Sequence, residues 1–410
     1  MLTPSQAIEK VIQTAQYGSP RETPLEECCF LVAARDIVAD SGYPFFSYSA
    51  MDGYAVRSHD LEGASSSKPV ALPLAGEIRT SGGEKVSLPH GRTMRIMTGG
   101  ALPEGADAVV KREDVKEGES AVTFSSPARK GSFINRQGEE IKQGEVLQPA
   151  GRIINPAALG LLATLGVTVV PVYPPPKVSL ITTGDELLRV GSPRGCGQIY
   201  DSISPMLGAA LKRAGVEKVS TCRCKDDPVF LQELISRAAE RSDLVVTAGG
   251  VSVGDYDYIC AVMENLGVEK IFWRVAQKPG KPLFFGRKES RLFFGLPGNP
   301  ASAMVCFLLY VLPAVRKIMG YPDPGPRWQE GRLACAIENK DWRTHFMRGR
   351  VSEDSQGGFL LEKAGDQASY MLSSFAQSNA LLELPPGPVQ CEAGAKIRFV
   401  SHFWNSEASG

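Results

Sequence analysis

Hydrophobic positions recur along this chain in distinct textures. Across residues 177–320, short runs that are apolar at nearly every position alternate with stretches that are apolar every third or fourth residue. KVSLITT precedes SPMLGAALKRAG, VSTCRC precedes PVFLQELISRAAER, and DLVVTA precedes DYICAVMENLG; KPLFFG and RLFFG then lead into NPASAMVCFLLYVLPAVRKIM. In the second pair, Leu231, Leu234, Ile235 and Ala238 fall at helical spacing. This alternation predicts a mainly parallel sheet covered by helices on both faces.

The flanking regions read differently. Residues 1–42 look helical, with Thr3-Pro4 as a start signal and a second periodic stretch over residues 24–40. From Pro44 to about Glu140 the runs VALPLAG, TMRIMTGG and AVTFSS are β-like and separated by Gly, Ser and Pro turns. INPAALGLLATLG carries Ile154, Leu159, Leu162 and Leu165 on one helical face, and PVYPPPK follows. Four prolines in those seven residues fit neither a helix nor a central strand, so a domain boundary belongs there. After Pro322-Asp323-Pro324, GRLACAIE, FMRGRVSE, FLLEK, ALLELPP and AKIRFV predict a small β-barrel or sandwich.

Composition narrows the class. A length of 410 residues predicts two to four domains. With 45 Lys+Arg against 45 Asp+Glu, no bulk field draws nucleic acid or anionic membrane. Nine cysteines without a C-x-x-C pair, and only four histidines, argue against zinc and against a disulfide framework. Cys28 and Cys29, like Cys222 and Cys224, read as buried apolar positions. The start MLTPSQAIEKVIQTA is an amphipathic helix pattern and not a signal peptide. The most apolar stretch, residues 301–315, is shorter than the roughly 18 residues a bilayer span needs and contains Pro313. A cytoplasmic protein is expected.

Chemistry concentrates where the strands of the α/β stretch end. LVVTAGGVSVGDYD (residues 244–257) runs from a strand into glycines and presents Asp255 and Asp257 where a helix begins. VSLITTGDEL ends in Gly184, Asp185 and Glu186, and LFFGLPGNPAS ends in Gly295, Gly298 and Asn299. Strands that deliver backbone amides and carboxylates to helix N-termini are how α/β proteins hold phosphates and hard cations, and in a parallel sheet the three loops emerge at one edge. None matches G-x-G-x-x-G or G-x-x-x-x-G-K-[ST], which disfavours a dinucleotide site and a Walker NTPase.

The carboxylates Asp185, Glu186, Asp226, Asp227, Asp255 and Asp257, without His or Cys, suit Mg²⁺. Helix caps and first-turn acids have the same appearance. Asn299-Pro300 reads as an N-cap followed by Pro at the first helical position. Arg274, Lys278 and Lys281, around Pro279-Gly280, could neutralise a phosphate or oxyanion, or form a solvated strand end. In the β-rich stretch, Asp52 reads as a turn acid and Thr98 as a strand-end residue.

Taken together, SAMDGYAV, RIMTGGALPEGADAVV, LITTGDEL, GQIYDS, KDDP, AGGVSVGDYDY, KPGKP, GLPGNPAS and LSSFAQSNAL resemble, in order, the molybdopterin molybdenumtransferase family, the enzymes related to the E domain of gephyrin. The resemblance implies four domains: an elongated one (residues 1–42 and 141–176), a β-rich one (43–140), an α/β molybdopterin-binding one (177–322) and a C-terminal β-barrel (323–410). It implies a homodimer in which the α/β domain of one subunit faces the β domain of the other, and docking of a molybdopterin adenylyltransferase is a further possible partnership. The implied reaction is Mg²⁺-assisted insertion of molybdate into adenylylated molybdopterin, with release of AMP.

By motif position, Asp52, Thr98, Glu186 and Asp257 would be catalytic, and Glu186, Asp226 and Asp257 would hold the metal. Gly249, Gly250, Ser252, Gly254, Arg274, Lys278, Lys281, Gly298 and Asn299 would bind substrate, with Pro297 and Pro300 shaping the wall; Asp185 and Glu140 are further candidates. The chain departs from the family pattern at Glu140, where Asp is usual, at Ile203 in place of Asn, and at Ser47-Tyr48 in place of Asp-Asn. Two other readings compete: an interaction scaffold, which has no need of the SVGDYD and TGDEL carboxylates, and a molybdopterin adenylyltransferase, which normally resides in a single α/β domain.

Overall fold

The apolar runs between Val178 and Leu296 pair into one six-stranded sheet that is buried on both faces. The structure, a computed structural model, describes residues 1–80, 86–250, 258–354 and 357–405. In space the strands lie in the order Val219–Cys224, Val178–Thr183, Leu244–Ala248, Arg291–Leu296, Phe284–Lys288 and Glu269–Trp273. Only Phe284–Lys288 runs against the others, so the expected mainly parallel sheet is present.

Alternate residues on a strand face opposite sides, and here both sides are apolar. Leu244, Val246, Phe294 and Leu296 pack with the helices Pro4–Thr14 and Ile203–Arg213 and with the helical stretch that starts at Pro300. Val245, Phe284 and Phe293 pack with Pro228–Arg241 and Ile259–Asn265. The chain leaves Val178–Thr183 for the edge strand Val219–Cys224, then returns to its other side at Leu244–Ala248. That reversal opens a crevice above the carboxyl ends of the strands.

The helix from Pro300 is α-helical to Cys306, π-helical over Phe307–Val311 and α-helical again to Ile318. The wide turn ends just before Pro313, whose ring and missing N–H an unbroken α-helix would have to accommodate at Leu309. At 19 residues it is longer than the apolar stretch read from the sequence, and by length and composition alone it could cross a membrane. Its apolar window is 89% buried inside the protein, which makes it a core helix.

The N-terminal part corrects two expectations. Thr3 does open a helix, with a capping box in which its hydroxyl accepts from Gln6 N at 3.3 Å and Gln6 Oε1 accepts from Thr3 N at 3.0 Å. Residues 24–40 do not form the second helix. They form one 3₁₀ turn, Leu25–Glu27, and the short strands Val32–Ala33 and Ile37–Val38. Their apolar spacing serves a small core in which Leu25, Cys28, Ala33 and Ile37 meet Ile154, Leu162 and Val172, and Phe30 at φ 65° interrupts any helical run.

Pro171, in turn, does lie in a central strand. Val169–Tyr173 sits between Arg21–Pro24 and Val32–Ala33. Pairing to Val32–Ala33 involves only Val172 and Tyr173, and on that side Pro171 uses its carbonyl, which accepts from Ala34 N at 2.8 Å.

The β-like runs of residues 44–140 form a six-stranded curled half-barrel that includes Gly53–Val56, Val70–Ile78, Thr93–Ile96 and Ala121–Phe124. At the C-terminus, Gln329–Leu333, Thr344–Glu353, Phe359–Lys363, Ala380–Leu384 and Lys396–Ser401 close on one another as a barrel and not a sandwich. The two-residue strand Gln277–Lys278 adds to this sheet beside Thr344 and His345, so the α/β unit and the barrel share main-chain hydrogen bonding.

Of the paired cysteines, Cys28 and Cys224 are buried as expected, while Cys29 is half-buried and Cys222 is exposed. Cys222 sits on the edge strand, where residues 220–223 are all exposed.

Phe294 is fully buried, with its ring centroid 4.7 Å from that of Phe285. Phe294→Ala should destabilise the protein by about 3–5 kcal/mol, seen as a lower urea midpoint at unchanged slope. A loss under about 1 kcal/mol would show that this sheet face collapses around the cavity.

Candidate functional site

Segments leaving the carboxyl ends of three adjacent parallel strands enclose a cleft of about 500 Å³. Thr183, Gly184 and Glu186 come from the first, Ala248, Gly249 and Gly250 from the second, and Pro297, Gly298, Asn299 and Pro300 from the third. Glycine makes this convergence possible. Gly249 and Gly250 have φ of 103° and 64°, a Cβ on Gly249 would overlap the Thr183 carbonyl, and one on Gly298 would stand 3.5 Å from the Gly249 Cα.

The six candidate carboxylates separate by role. Glu186 and Asp226 line the cleft. Asp226 Oδ1 accepts from Thr183 Oγ1 at 2.7 Å and from the Tyr258 hydroxyl. Burial, reinforced by this bond, pushes the Tyr258 phenol well above its ordinary value, so it stays a donor. Asp185 is one layer back, its Oδ1 accepting from Asp226 N at 3.3 Å. Asp227 is a helix cap and not a cleft residue: its Oδ1 accepts from Val229 N at 2.9 Å and Phe230 N at 3.1 Å. Asp255 and Asp257, with Ser252 and Gly254, lie outside the described residues. Among the described residues no three His, Cys, Asp or Glu side chains converge as a metal cluster.

Two contributors to the cleft escaped the sequence reading. Asp201, from the IYDS segment, is buried and accepts from Thr182 Oγ1 at 2.9 Å, Ser204 Oγ at 2.6 Å, Ile203 N at 3.1 Å and Ser204 N at 3.0 Å. It ties the start of Ile203–Arg213 to the first strand. An Asp just before a helical period is the visible signal for such a role. Ile203, where the family pattern has Asn, is buried at the first position of that helix and lines the cleft.

The other contributor is the barrel loop before Leu372–Ala376. Tyr370 lines the cleft, and Ser369 Oγ accepts from Asn299 Nδ2 at 3.0 Å, so the Asn299 side chain reaches across to the barrel and makes no cap bond. Arg348, fully buried, supports this loop from beneath: Nη2 donates to the carbonyls of Asp366 and Ala368 at 3.0 Å each, and Nε to Ser374 Oγ at 3.0 Å. Burial draws its guanidinium down to about 10, which leaves it charged at neutral pH. Sequence alone gave no sign of this, because the partners are 18 to 26 residues apart and mostly main-chain carbonyls.

The basic run borders the cleft without lining it. Val275 N donates to Lys281 O and Arg274 N to Leu283 O, both at 3.0 Å, which folds residues 274–283 into a loop whose Pro282 reaches the cleft wall. Arg274, at φ 70°, places its guanidinium 3.8 Å above the Trp273 ring. Lys278 is half-buried in the strand shared with the barrel, near enough to Asp341 and His345 to influence the titration of both.

Asp52 and Thr98 are brought together, in a second cluster separate from the cleft lining. Asp52 Oδ1 accepts from Thr98 N at 2.7 Å and Thr98 Oγ1 at 2.8 Å. These bonds, the backbone one foremost, hold its carboxyl below the usual 3.8. Gly99 N donates to Ser49 O at 2.8 Å, Gln137 N to Ser47 Oγ at 3.1 Å, and Glu140 N to Tyr43 O at 3.1 Å. The SAMDGYAV, MTGG and RQGEE motifs are thus one surface, on which the Glu140 side chain is exposed and Tyr48 pairs with Asn135. Phe45, Phe46 and Phe133 stand 47%, 51% and 39% exposed beside it.

Three family models match the chain in succession: MoeA N-terminal region (domain I and II) over residues 2–166, a probable molybdopterin binding domain over 179–317, and MoeA C-terminal region (domain IV) over 330–401. The chain is 37% identical to molybdopterin molybdenumtransferase 2 of Mycobacterium tuberculosis over 92% of its own length and 94% of the relative's. It is 35% identical to molybdopterin molybdenumtransferase of Haemophilus influenzae over 97% and 98%. A molybdopterin biosynthesis MoeA protein from Pyrococcus horikoshii superposes with a TM-score of 0.84 at 28% identity, covering 98% of this chain and 99% of that one.

The Asp52 geometry makes a titration prediction. A carboxyl held low adds stability that is present above its unfolded value and is lost as pH falls through its folded value. Thr98→Val removes the side-chain donor and keeps the backbone one, so carboxyl NMR should show the Asp52 titration moving up toward 3.8 without reaching it. An unmoved titration would mean that the hydroxyl bond is not made in solution.

Proposed function

The chain belongs to the molybdopterin molybdenumtransferase family, and on that premise we propose that it inserts molybdate into adenylylated molybdopterin with Mg²⁺ present and releases AMP. The observation that carries this reading is the cleft at the strand ends, where glycine-rich turns meet three carboxylates, Glu186, Asp201 and Asp226, of which Asp201 is taken up by its own hydrogen bonds. The Gly250 amide and the Gly298 backbone suit a phosphate-bearing ligand, since glycine puts no side chain between such a group and the backbone, whereas the Gly249 amide is already given to Leu296 O at 3.2 Å.

The donor chemistry fits the cation. Among the described residues, neither the Glu186 carboxylate nor Oδ2 of Asp226 has a hydrogen-bond partner, and acceptor-only oxygens of this kind, completed by water and phosphate, are what Mg²⁺ takes. Glu186 and Asp226, with Asp257, would hold the ion. When bound, it would neutralise charge that builds on the phosphate oxygens during cleavage. Thr183 and Tyr258 fix Asp226 in one rotamer, and Asp185 fixes the backbone that carries it. Arg274, Lys278 and Lys281 would attract molybdate and the pterin phosphate to the cleft mouth.

Asp52 and Thr98 join the reaction in this reading through a homodimer, each subunit's β surface completing its partner's cleft. The exposed phenylalanines around that surface support it, because apolar side chains grouped beside polar motifs mark a face that is covered in use. Glu140 lies on the same face and would meet substrate only from across the dimer.

Two outcomes test the proposal in purified protein supplied with adenylylated molybdopterin, Mg²⁺ and molybdate. Glu186→Gln should retain the fold and lower AMP release by at least about 100-fold; wild-type turnover would remove Glu186 from the site. Subunits carrying Asp52→Ala and subunits carrying Glu186→Gln should each be inactive alone and regain activity when exchanged, since one of the two clefts in the mixed dimer is then intact. No recovery after verified exchange would place the whole site within one chain.

A further inference from the structure

We propose that the buried hydrogen bond between Tyr310 and Gln277 is a positioning device that fixes Lys278 relative to the cleft. The inference rests on the reading of Lys278 as a ligand for substrate anions. Gln277 directly precedes Lys278 and is fully buried, an arrangement that is unfavourable for an amide unless both of its ends are paired. Both are. Oε1 accepts from the Tyr310 hydroxyl, and Nε2 donates to the carbonyls of Pro279 at 3.0 Å and Gly280 at 3.3 Å. One side chain therefore closes the Lys278-Pro279-Gly280 turn upon itself and attaches it to the core.

The attachment point is the helix that also supplies the cleft wall. Its first residue, Pro300, lines the cleft, and Tyr310 lies in its π-helical segment. Cys306, four residues before Tyr310, lies on the same side, and its thiol donates to the Gly280 carbonyl at 3.6 Å. Contact there is close enough that a Cβ on Gly280 would stand 2.6 Å from Cys306 Sγ and 2.9 Å from Gln277 Nε2. Burial keeps the Tyr310 phenol protonated and so a permanent donor. One rigid element thus sets two things at once, the wall at Pro300 and the lysine turn at residues 278–280.

Without this bond the turn's links to the helix reduce to the weak sulfur contacts of Cys306 with Gly280 O at 3.6 Å and Gln277 Nε2 at 3.7 Å, while its attachment to the barrel persists through Gln277–Lys278 beside Thr344–His345 and Thr344 N to Ala276 O at 3.2 Å. Lys278 would then follow the barrel and not the cleft. A purely structural polar pair would lower stability when broken but would act on turnover independently of Lys278.

A double-mutant cycle separates the two cases, because residues that act through one another are non-additive. AMP release would be measured for wild type, Tyr310→Phe, Lys278→Ala and the double variant, with thermal unfolding of each. Lys278→Ala should lower kcat/KM at least tenfold, mainly through KM. Tyr310→Phe should lower it about three- to tenfold, and should have no further effect once Lys278 is gone. Multiplicative losses in the double variant, or wild-type kcat/KM in Tyr310→Phe, would overturn the positioning role alone. Wild-type kcat/KM in Lys278→Ala would overturn the reading of Lys278 itself, and the positioning role with it. Should Tyr310→Phe fail to fold, Gln277→Met, of similar volume and without polar atoms, enters the same cycle with the same expected and overturning results.

Discussion

Two-sided burial of a parallel sheet is the constraint from which the rest of the molecule follows. A strand with apolar groups on both faces cannot turn back on itself through a tight hairpin into a parallel neighbour, so strands that run parallel are left at the same edge, Phe284–Lys288 being the one that runs the other way. Val178–Thr183, Leu244–Ala248 and Arg291–Leu296 obey this, and their three exits meet above the reversal in strand order. Polar residues have one place to gather, and it is there. The glycines follow as a second requirement, since three exits 4.7–4.9 Å apart in the sheet approach still closer once they leave it.

Around that edge, buried polar groups serve loops more than they serve the core. Asp201 collects four hydrogen bonds to hold a helix start, Arg348 spans three carbonyl or hydroxyl acceptors to hold the barrel loop, and Gln277 closes a turn that the Tyr310 hydroxyl anchors. Each has most of its donors or acceptors paired, as burial demands. Of these three side chains, Arg348 has one nitrogen, Nη1, without a partner among the described residues, and there the cost is softened by a guanidinium that is weakly hydrated and three bonds that remain.

How much of this was legible in the chain depends on distance along it. Alternating apolar texture located five of the six strands of the α/β sheet and the helices between them, because those patterns are local and set by burial, while the edge strand Glu269–Trp273, with both of its first two residues exposed, went unread. The glycine and carboxylate turns were legible for the same reason, as was the shared edge. Residues 24–40 misled because their apolar spacing came from a core made with residues 154–172, and periodicity carries no information about which partner is met. Pro171 misled because the rule against proline in central strands concerns the N–H, and on the side facing Val32–Ala33 only the carbonyl is engaged. Asp227 looked like Asp226 in the sequence; a step of one residue turned one toward the cleft and the other into a helix cap. Ser369 and Tyr370 were beyond reach, since nothing local in a loop says that a buried arginine about twenty residues away will present it to another unit.

The helix from Pro300 to Ile318 bears on how the protein is made. Its cover comes from both ends of the chain: Ala7 and Val11 from the first helix, and Phe346, Phe375 and Leu381 from the barrel. The first of these leaves the ribosome some 300 residues before the helix, the last more than 60 residues after it. During that interval the nascent chain holds its most membrane-like segment with one side unsheltered, and only completion of the barrel closes it. The C-terminal barrel is thus the lid on the core as well as a wall of the cleft, and a chain released short of Leu381 would display to chaperones and translocation machinery a segment that the finished protein conceals.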